Sequence, residues 1–344
     1  MIEILSRSAL STVQDHGRRG QRRFGVGTAG AMDQVALVVG NHLLENPAGA
    51  AGIEIPVFPF RVRFLQDLDF ALTGADSGAQ LDGKPILPWW TRRAYAGQIL
   101  TLGGAGLRAG ARCYLLLAGG VDVPSVLGSR STQLRGQFGG HHGRALVQGD
   151  VLRSGTLNPP VTQPGTRRAG QTDTGFGVVP PELSLPAKEF FDSVDSGPNP
   201  ATPMRVLPAA EYRDFDKASV EAFWSAEWKI SAQSDRYGYR LAGPALARRQ
   251  PTETRSHGII PGVIQVPHSG QPIIQMRDAQ PTGGYPKIGT VIEADLWRLG
   301  QAPAGSRIRF VPTSYEGAVA ALETVEAYLD KVGRMIALYR QLLV

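Results

Sequence analysis

The chain has 344 residues, 36 Lys and Arg against 30 Asp and Glu, a net charge of +6, and 42% hydrophobic content. That length supports a sizeable core and two domains, and 42 glycines with 25 prolines favour a turn-rich β architecture over a helical bundle. The basic residues are spread along the chain without an aromatic stacking motif or zinc spacing, which removes nucleic acid from the expected partners.

The opening MIEILSRSALSTVQDHG carries Glu3 and no long apolar run, so it does not read as a signal peptide. No window approaches the ~20 apolar residues that span a bilayer. A single cysteine excludes an internal disulfide and fits a reducing compartment, so a cytoplasmic protein is expected. Next comes FGVGTAGAMD, with Gly25, Gly27 and Gly30 in dinucleotide spacing ahead of a helix predicted over 31–46. The preceding DHGRRGQRRF is charged and glycine-broken rather than a buried strand, so a Rossmann site is not expected. Glycines that open a helix leave N–H groups for an anion. Asp33, at that helix start, suits the dipole as a simple cap.

Further on, LDGKPI (81–86) and ARCYLLLAGG (111–120) read as a hairpin turn and a buried strand, with Cys113 an inert core thiol. Ten prolines between Pro159 and Pro208 mark a connecting region. This divides the chain into 1–155, 156–203 and 204–344. The flanking parts echo one another faintly: LDGKPI then AGARCYLLL in front, HSGQPI then AGSRIRFV behind. Two similar β-barrel-like domains in tandem explain the echo. At the C-terminus, Thr313 and Glu316 form a capping-box pattern. Ala318, Leu322, Val325, Leu329, Val332 and Ile336 then give one apolar stripe along a helix.

The six histidines show no metal spacing, so no metal site is expected. The only Gly-Lys pair, Gly83-Lys84, precedes proline, so there is no Walker loop and nucleotide chemistry needs another binding mode. No methionine is followed by lysine, so any biotin is carried by another chain.

Several segments together resemble one family: STVQDHGRRGQRRFGVGTAGAMD (11–33), GADSGAQLDGKP (74–85), AGGVDVPSVLGSRST (118–132), SDRYGYRLAGP (234–244) and IQVPHSGQPIIQMRDAQPTGGYPKIGTVIEADL (264–296). They are similar to the allophanate hydrolase subunit 2 family, also called the biotin-dependent carboxyltransferase-like family, over about residues 5–312. The resemblance implies a mainly β fold of two tandem cyclophilin-like β-barrel domains with a few helices, including a C-terminal one. It implies the C-type subunit of an ATP-dependent 5-oxoprolinase, which opens the lactam of 5-oxoproline in complex with a subunit 1 or B-type chain and a lactam-utilisation subunit. In that reading ATP is bound by the complex. The alternatives are the carboxyltransferase component of a urea or allophanate-type biotin-dependent system, and a regulatory protein that binds a kinase-inhibitor-like subunit 1 partner. Where family members often have proline, this chain has Gly27. Ala279 and Pro281 replace a longer polar residue and a threonine beside the TGGYPK run, which bears on substrate identity.

The TGGYPK run is the expected site. Gly283 and Gly284 let the backbone approach a ligand or take positive φ. Tyr285 offers a ring face and a hydroxyl, and Pro286 fixes the chain before Lys287. A lysine so held polarises a carbonyl, the oxyanion role. Gln265, Gln280 and Thr282 are expected to bind the same N–C=O unit. Asp33, acting as base, is expected to pair functionally with Lys287.

Overall fold

A computed structural model describes residues 1–7, 10–104, 110–156, 175–185, 201–250 and 255–342. The chain forms two compact units, one of Met1–Arg18, Ala29–Ser184 and Glu326–Val344, the other of Arg19–Thr28 and Leu185–Val325. The proline-rich connection expected over 156–203 lies largely outside the described residues. Its described part includes the four-residue helix Pro181–Ser184.

In the first unit, two antiparallel sheets share one core. The larger runs in the order Val121–Asp122, Val151–Ser154, Ile2–Ile4, Phe60–Phe64, Ile99–Leu102, Gln80–Leu81, Lys84–Pro85. The smaller runs Thr12–Gln14, Gly52–Ile55, Cys113–Leu117, Leu68–Gly74, Trp90–Ala94. FRVRF shows how sequence sets a face: Phe60, Val62 and Phe64 are buried, while Arg61 and Arg63 are exposed. The expected hairpin at Asp82-Gly83 is present, with both residues at positive φ (47° and 78°). Helix Gln34–Leu43 packs on the strands Leu68–Gly74 and Cys113–Leu117. Gly40 permits this close approach, because a Cβ there would collide with the Leu116 side chain. Cys113 is buried with Sγ 2.7 Å from the Ala75 carbonyl, and burial pushes its thiol up to about 12, as an inert core cysteine should be.

The second unit closes a seven-stranded barrel: Thr202–Pro208, Lys287–Val291, Val263–Gln265, Ile273–Gln275, Gly238–Ala242, Glu227–Ile230, Arg307–Pro312. Thr202–Pro208 and Arg307–Pro312 pair in parallel to complete it. The Ser269-Gly270 turn joins two of these strands, with Gly270 at φ 73°. Met204, Trp228, Ile264, Ile274, Ile288, Ile308 and Phe310 are all buried. The fold is therefore mainly β.

The C-terminal helix spans Tyr315–Gln341, beginning in the second unit and ending in the first. Its cap sits one residue later than the sequence pattern places it, since Ser314 Oγ accepts from Gly317 N–H at 3.1 Å. The buried row is Ala321, Val325, Tyr328, Val332 and Ile336, whereas Leu322 is exposed. Aromatic bulk at Tyr328, whose hydroxyl donates to the Val179 carbonyl at 2.9 Å, rotates the face away from the purely aliphatic stripe. Among the described residues no helix is long and apolar enough to cross a membrane.

Candidate functional site

The turn that follows strand Ile273–Gln275 is held from three sides. Arg236 and Asp278, both buried, form a two-pronged ion pair at 2.9 and 3.0 Å. This joins the SDRYGYRL and MRDAQ stretches. The two-residue strand Thr282–Gly283 pairs with His257–Gly258, and Ile259 N–H donates to the Pro281 carbonyl at 2.9 Å. Pro281 lacks an N–H, yet its carbonyl anchors this neighbouring segment. Ala279 is buried. Beneath the turn, Gln265 is 3% exposed and its Nε2 donates to the Tyr285 carbonyl at 3.2 Å. Gly283 is glycine because of close approach rather than positive φ: a Cβ there would lie 2.7 Å from Gln265 Nε2.

Lys287 opens the barrel strand Lys287–Val291, in register with Gln265 at a bulge. Its side chain is 13% exposed. The ammonium lies 2.7 Å from His257 Nδ1 and 3.1 Å from Glu211 Oε1. Glu211 starts from the 3-10 turn Ala210–Asp214, which packs on the lysine's strand and is tied to it by Ala209 N–H donating to the Ile288 carbonyl at 3.2 Å. The result is a lysine fixed by a carboxylate and an imidazole, with the imidazole half-exposed.

Beside this cluster lies a cleft of about 670 Å³, within the range of small-molecule sites. Phe215, Leu246 and Val266 give it an apolar wall, while Arg248, His268 and Tyr285 supply polar edges. Gly284 and Pro286 also line it, so one turn faces the cleft with three residues and the ion cluster with a fourth. The His268 and Tyr285 rings meet edge to face at 6.4 Å. Tyr285 and Gly284 thus line a cavity, as a binding role requires. Thr282 and Gln280 are exposed near it in sequence, and Gln265 reaches the turn only from below.

In the first unit, Asp33 is fully buried and is the N-cap of Gln34–Leu43, Oδ1 accepting from Ala36 N–H at 2.9 Å. Its own N–H donates to the Tyr114 hydroxyl at 2.8 Å, and that hydroxyl donates to Glu54 Oε2 at 2.7 Å. The helix N-terminus is therefore served by a carboxylate of the chain itself. Asp15 organises the GSRST loop: it accepts from Ser129 Oγ (2.6 Å), Ser131 Oγ (2.5 Å), Arg130 N–H (2.5 Å) and Gly17 N–H (2.8 Å). Burial alone would raise this carboxyl, but those four donors outweigh it and hold it below the usual carboxylate range.

Sequence reasoning missed Glu211, His257 and His268. His257 lies thirty residues from its lysine and Glu211 sits in PAAEYRDF, where no spacing signals chemistry. Among the described residues no group of three or more His, Cys, Asp or Glu is arranged to hold a metal.

The family described as carboxyltransferase domain, subdomain A and B, matches residues 24–312. The chain is 41% identical to the C subunit of 5-oxoprolinase from Escherichia coli, over 96% of this chain and 97% of that protein. It is 40% identical to the Haemophilus influenzae protein of the same name, over 98% and 99%. Urea amidolyase of Lachancea kluyveri is 33% identical over 95% of this chain but 18% of its own length. Among solved structures, the K. lactis urea amidolyase matches with a TM-score of 0.81 at 28% identity, over 96% of this chain and a fifth (20%) of that one.

Proposed function

The chain belongs to the carboxyltransferase-domain family of subdomains A and B, and on that premise we propose that it is the C-type subunit of an ATP-dependent 5-oxoprolinase. The observation that carries this is end-to-end similarity at 40–41% to two proteins named as the C subunit of 5-oxoprolinase, covering 97–99% of their lengths. The substrate's lactam is an N–C=O unit. Lys287, preorganised by Glu211 and His257, polarises its carbonyl and stabilises the oxyanion that forms as the ring opens. Tyr285, Thr282 and Gly284 hold the substrate on the turn, and Gln265 fixes the turn's geometry through the Tyr285 carbonyl. Gln280 flanks them. ATP is bound by the complex without a Walker loop in this chain. The partners are a B-type chain and a lactam-utilisation subunit.

The second reading is carboxyl transfer in a urea-type, biotin-dependent system, with biotin on another chain. It is favoured by the 33% identity to a urea amidolyase and by the 0.81 TM-score to a solved one. Co-expression with the neighbouring genes, followed by assay of ATP hydrolysis, separates the two. The proposal expects hydrolysis that depends on 5-oxoproline and on all subunits, with negligible activity from this chain alone. Turnover with urea and biotin, and none with 5-oxoproline, reverses the assignment.

A further inference from the structure

We propose that Glu211 and His257 are positioning residues that aim the Lys287 ammonium at its ligand, and that protonation of His257 releases that aim. The inference rests on the role given to Lys287 above. An ammonium has three N–H donors and no acceptor. One donor of Lys287 is directed at His257 Nδ1, 2.7 Å away, and one at Glu211 Oε1, 3.1 Å away. The third is left for a ligand. Because the lysine donates, Nδ1 accepts, and the imidazole proton sits on Nε2 of a half-exposed ring.

Both partners are tied by backbone to the elements that carry Lys287. His257 is paired with Gly283 in the short ladder, and its neighbour Ile259 is bonded to Pro281. Glu211 rides on the 3-10 turn bonded to Ile288, the residue after Lys287. The Gly-Gly-Tyr-Pro-Lys turn therefore places the lysine directly and, through Gly283, places one of the groups that aim it. Such backbone fixing keeps reorganisation low when charge develops on the substrate.

Among the described residues, the charged groups at ion-pair or hydrogen-bond distance of the His257 ring are Lys287 and Glu211, the latter 3.4 Å from Nδ1. When His257 gains a proton, both ring nitrogens become donors. Nδ1 then stops accepting, and two cations oppose each other at 2.7 Å. The ammonium keeps only Glu211 and swings from its ligand position.

The test uses lysine labelled with ¹³C at Cε, since the chain has only six lysines and Lys287→Met identifies the signal. In the wild type the Lys287 signal is expected to move as pH is lowered. In His257→Gln, whose amide oxygen accepts at every pH, it is expected to stay flat. A wild-type signal that stays as flat as that of His257→Gln when pH is lowered overturns the proposal. In the assembled complex, His257→Ala is expected to lower kcat by about tenfold or more with KM little changed, a loss of transition-state contact. His257→Gln is expected to recover part of that kcat and to lose the acid limb of the pH profile. An acid limb that survives in His257→Gln also overturns the proposal. A wild-type complex inert toward 5-oxoproline, with the Lys287–His257 coupling present by NMR, removes the lactam reading and supports the positioning.

Discussion

Lys287 Nζ and Glu211 Oε1 lie 3.1 Å apart, and the carboxylate's second oxygen is buried without a hydrogen-bond partner among the described residues. Glu211 therefore relies on its lysine. Lys287→Met should lower turnover of the assembled complex about 10²–10³-fold, the usual cost of one oxyanion donor. It also strands a largely buried carboxylate, at about 1–3 kcal/mol. Lys287→Met combined with Glu211→Gln should regain that stability without regaining turnover. Kinetics and denaturant melts on both variants check this. Wild-type turnover in Lys287→Met would make the lysine purely structural.

Gly283→Ala tests the packing beneath the turn. The new methyl presses on Gln265, which is 3% exposed and has little room to yield. Overpacking of this kind costs about 1–3 kcal/mol, and the Gln265 to Tyr285 bond should break. Gly283→Ala with Gln265→Ala should relieve the strain. If the single variant melts like wild type, the contact does not govern the turn.

Local pattern reached the elements whose causes are local. The alternation of FRVRF, the positive-φ pair Asp82-Gly83 and the helix after Asp33 were legible because strand period, turn chemistry and capping each act over a few residues. The helix at the end of the chain was legible too, but its cap and face were misplaced by a residue or so. The cap passes to Ser314, one of two adjacent hydroxyl residues that local pattern does not separate, and Tyr328 sits on the buried face with a tertiary contact to Val179 that no local spacing encodes. The TGGYPK turn was recognisable as a candidate from its residues alone. Its chemistry was not, because the groups that define Lys287 arrive from Glu211 and His257 through sheet pairing. Asp15 likewise meets Ser129 and Ser131 across more than a hundred residues of chain.

Asp33 separates capping from catalysis. Asn caps a helix as well as Asp does, so Asp33→Asn should keep the helix, whereas Asp33→Ala should cost about 0.5–2 kcal/mol. The buried carboxylate bonded to Ala36 N–H favours the capping role. Turnover in Asp33→Asn is expected to follow stability. A drop of about a hundredfold in Asp33→Asn with an unchanged melt would instead assign the carboxylate to the chemistry.

Acid should unlock the first unit through Asp150. Burial opposes ionisation of this carboxyl, but Arg144, bonded to both oxygens at 2.7 Å, and Val147 N–H at 2.8 Å outweigh it. Together with His141 they hold it at about 2, below its ordinary 3.8. The folded chain thus binds this proton less tightly than the unfolded chain does. The stabilisation is fully present above 3.8 and is lost as pH falls through about 2. Asp15, held low by its four donors, adds to the same acid limb. Denaturant midpoints measured from about pH 5 to about pH 2 should fall more steeply in the wild type than in Asp150→Asn, which has no proton to gain. His141, 3.4 Å from Asp150, is kept from protonating mainly by burial, with Asp150 pulling the other way. Removing Asp150 should therefore lower the His141 titration further, as followed by NMR. Parallel acid slopes in the two proteins would show that the Arg144–Asp150 pair contributes nothing to stability there.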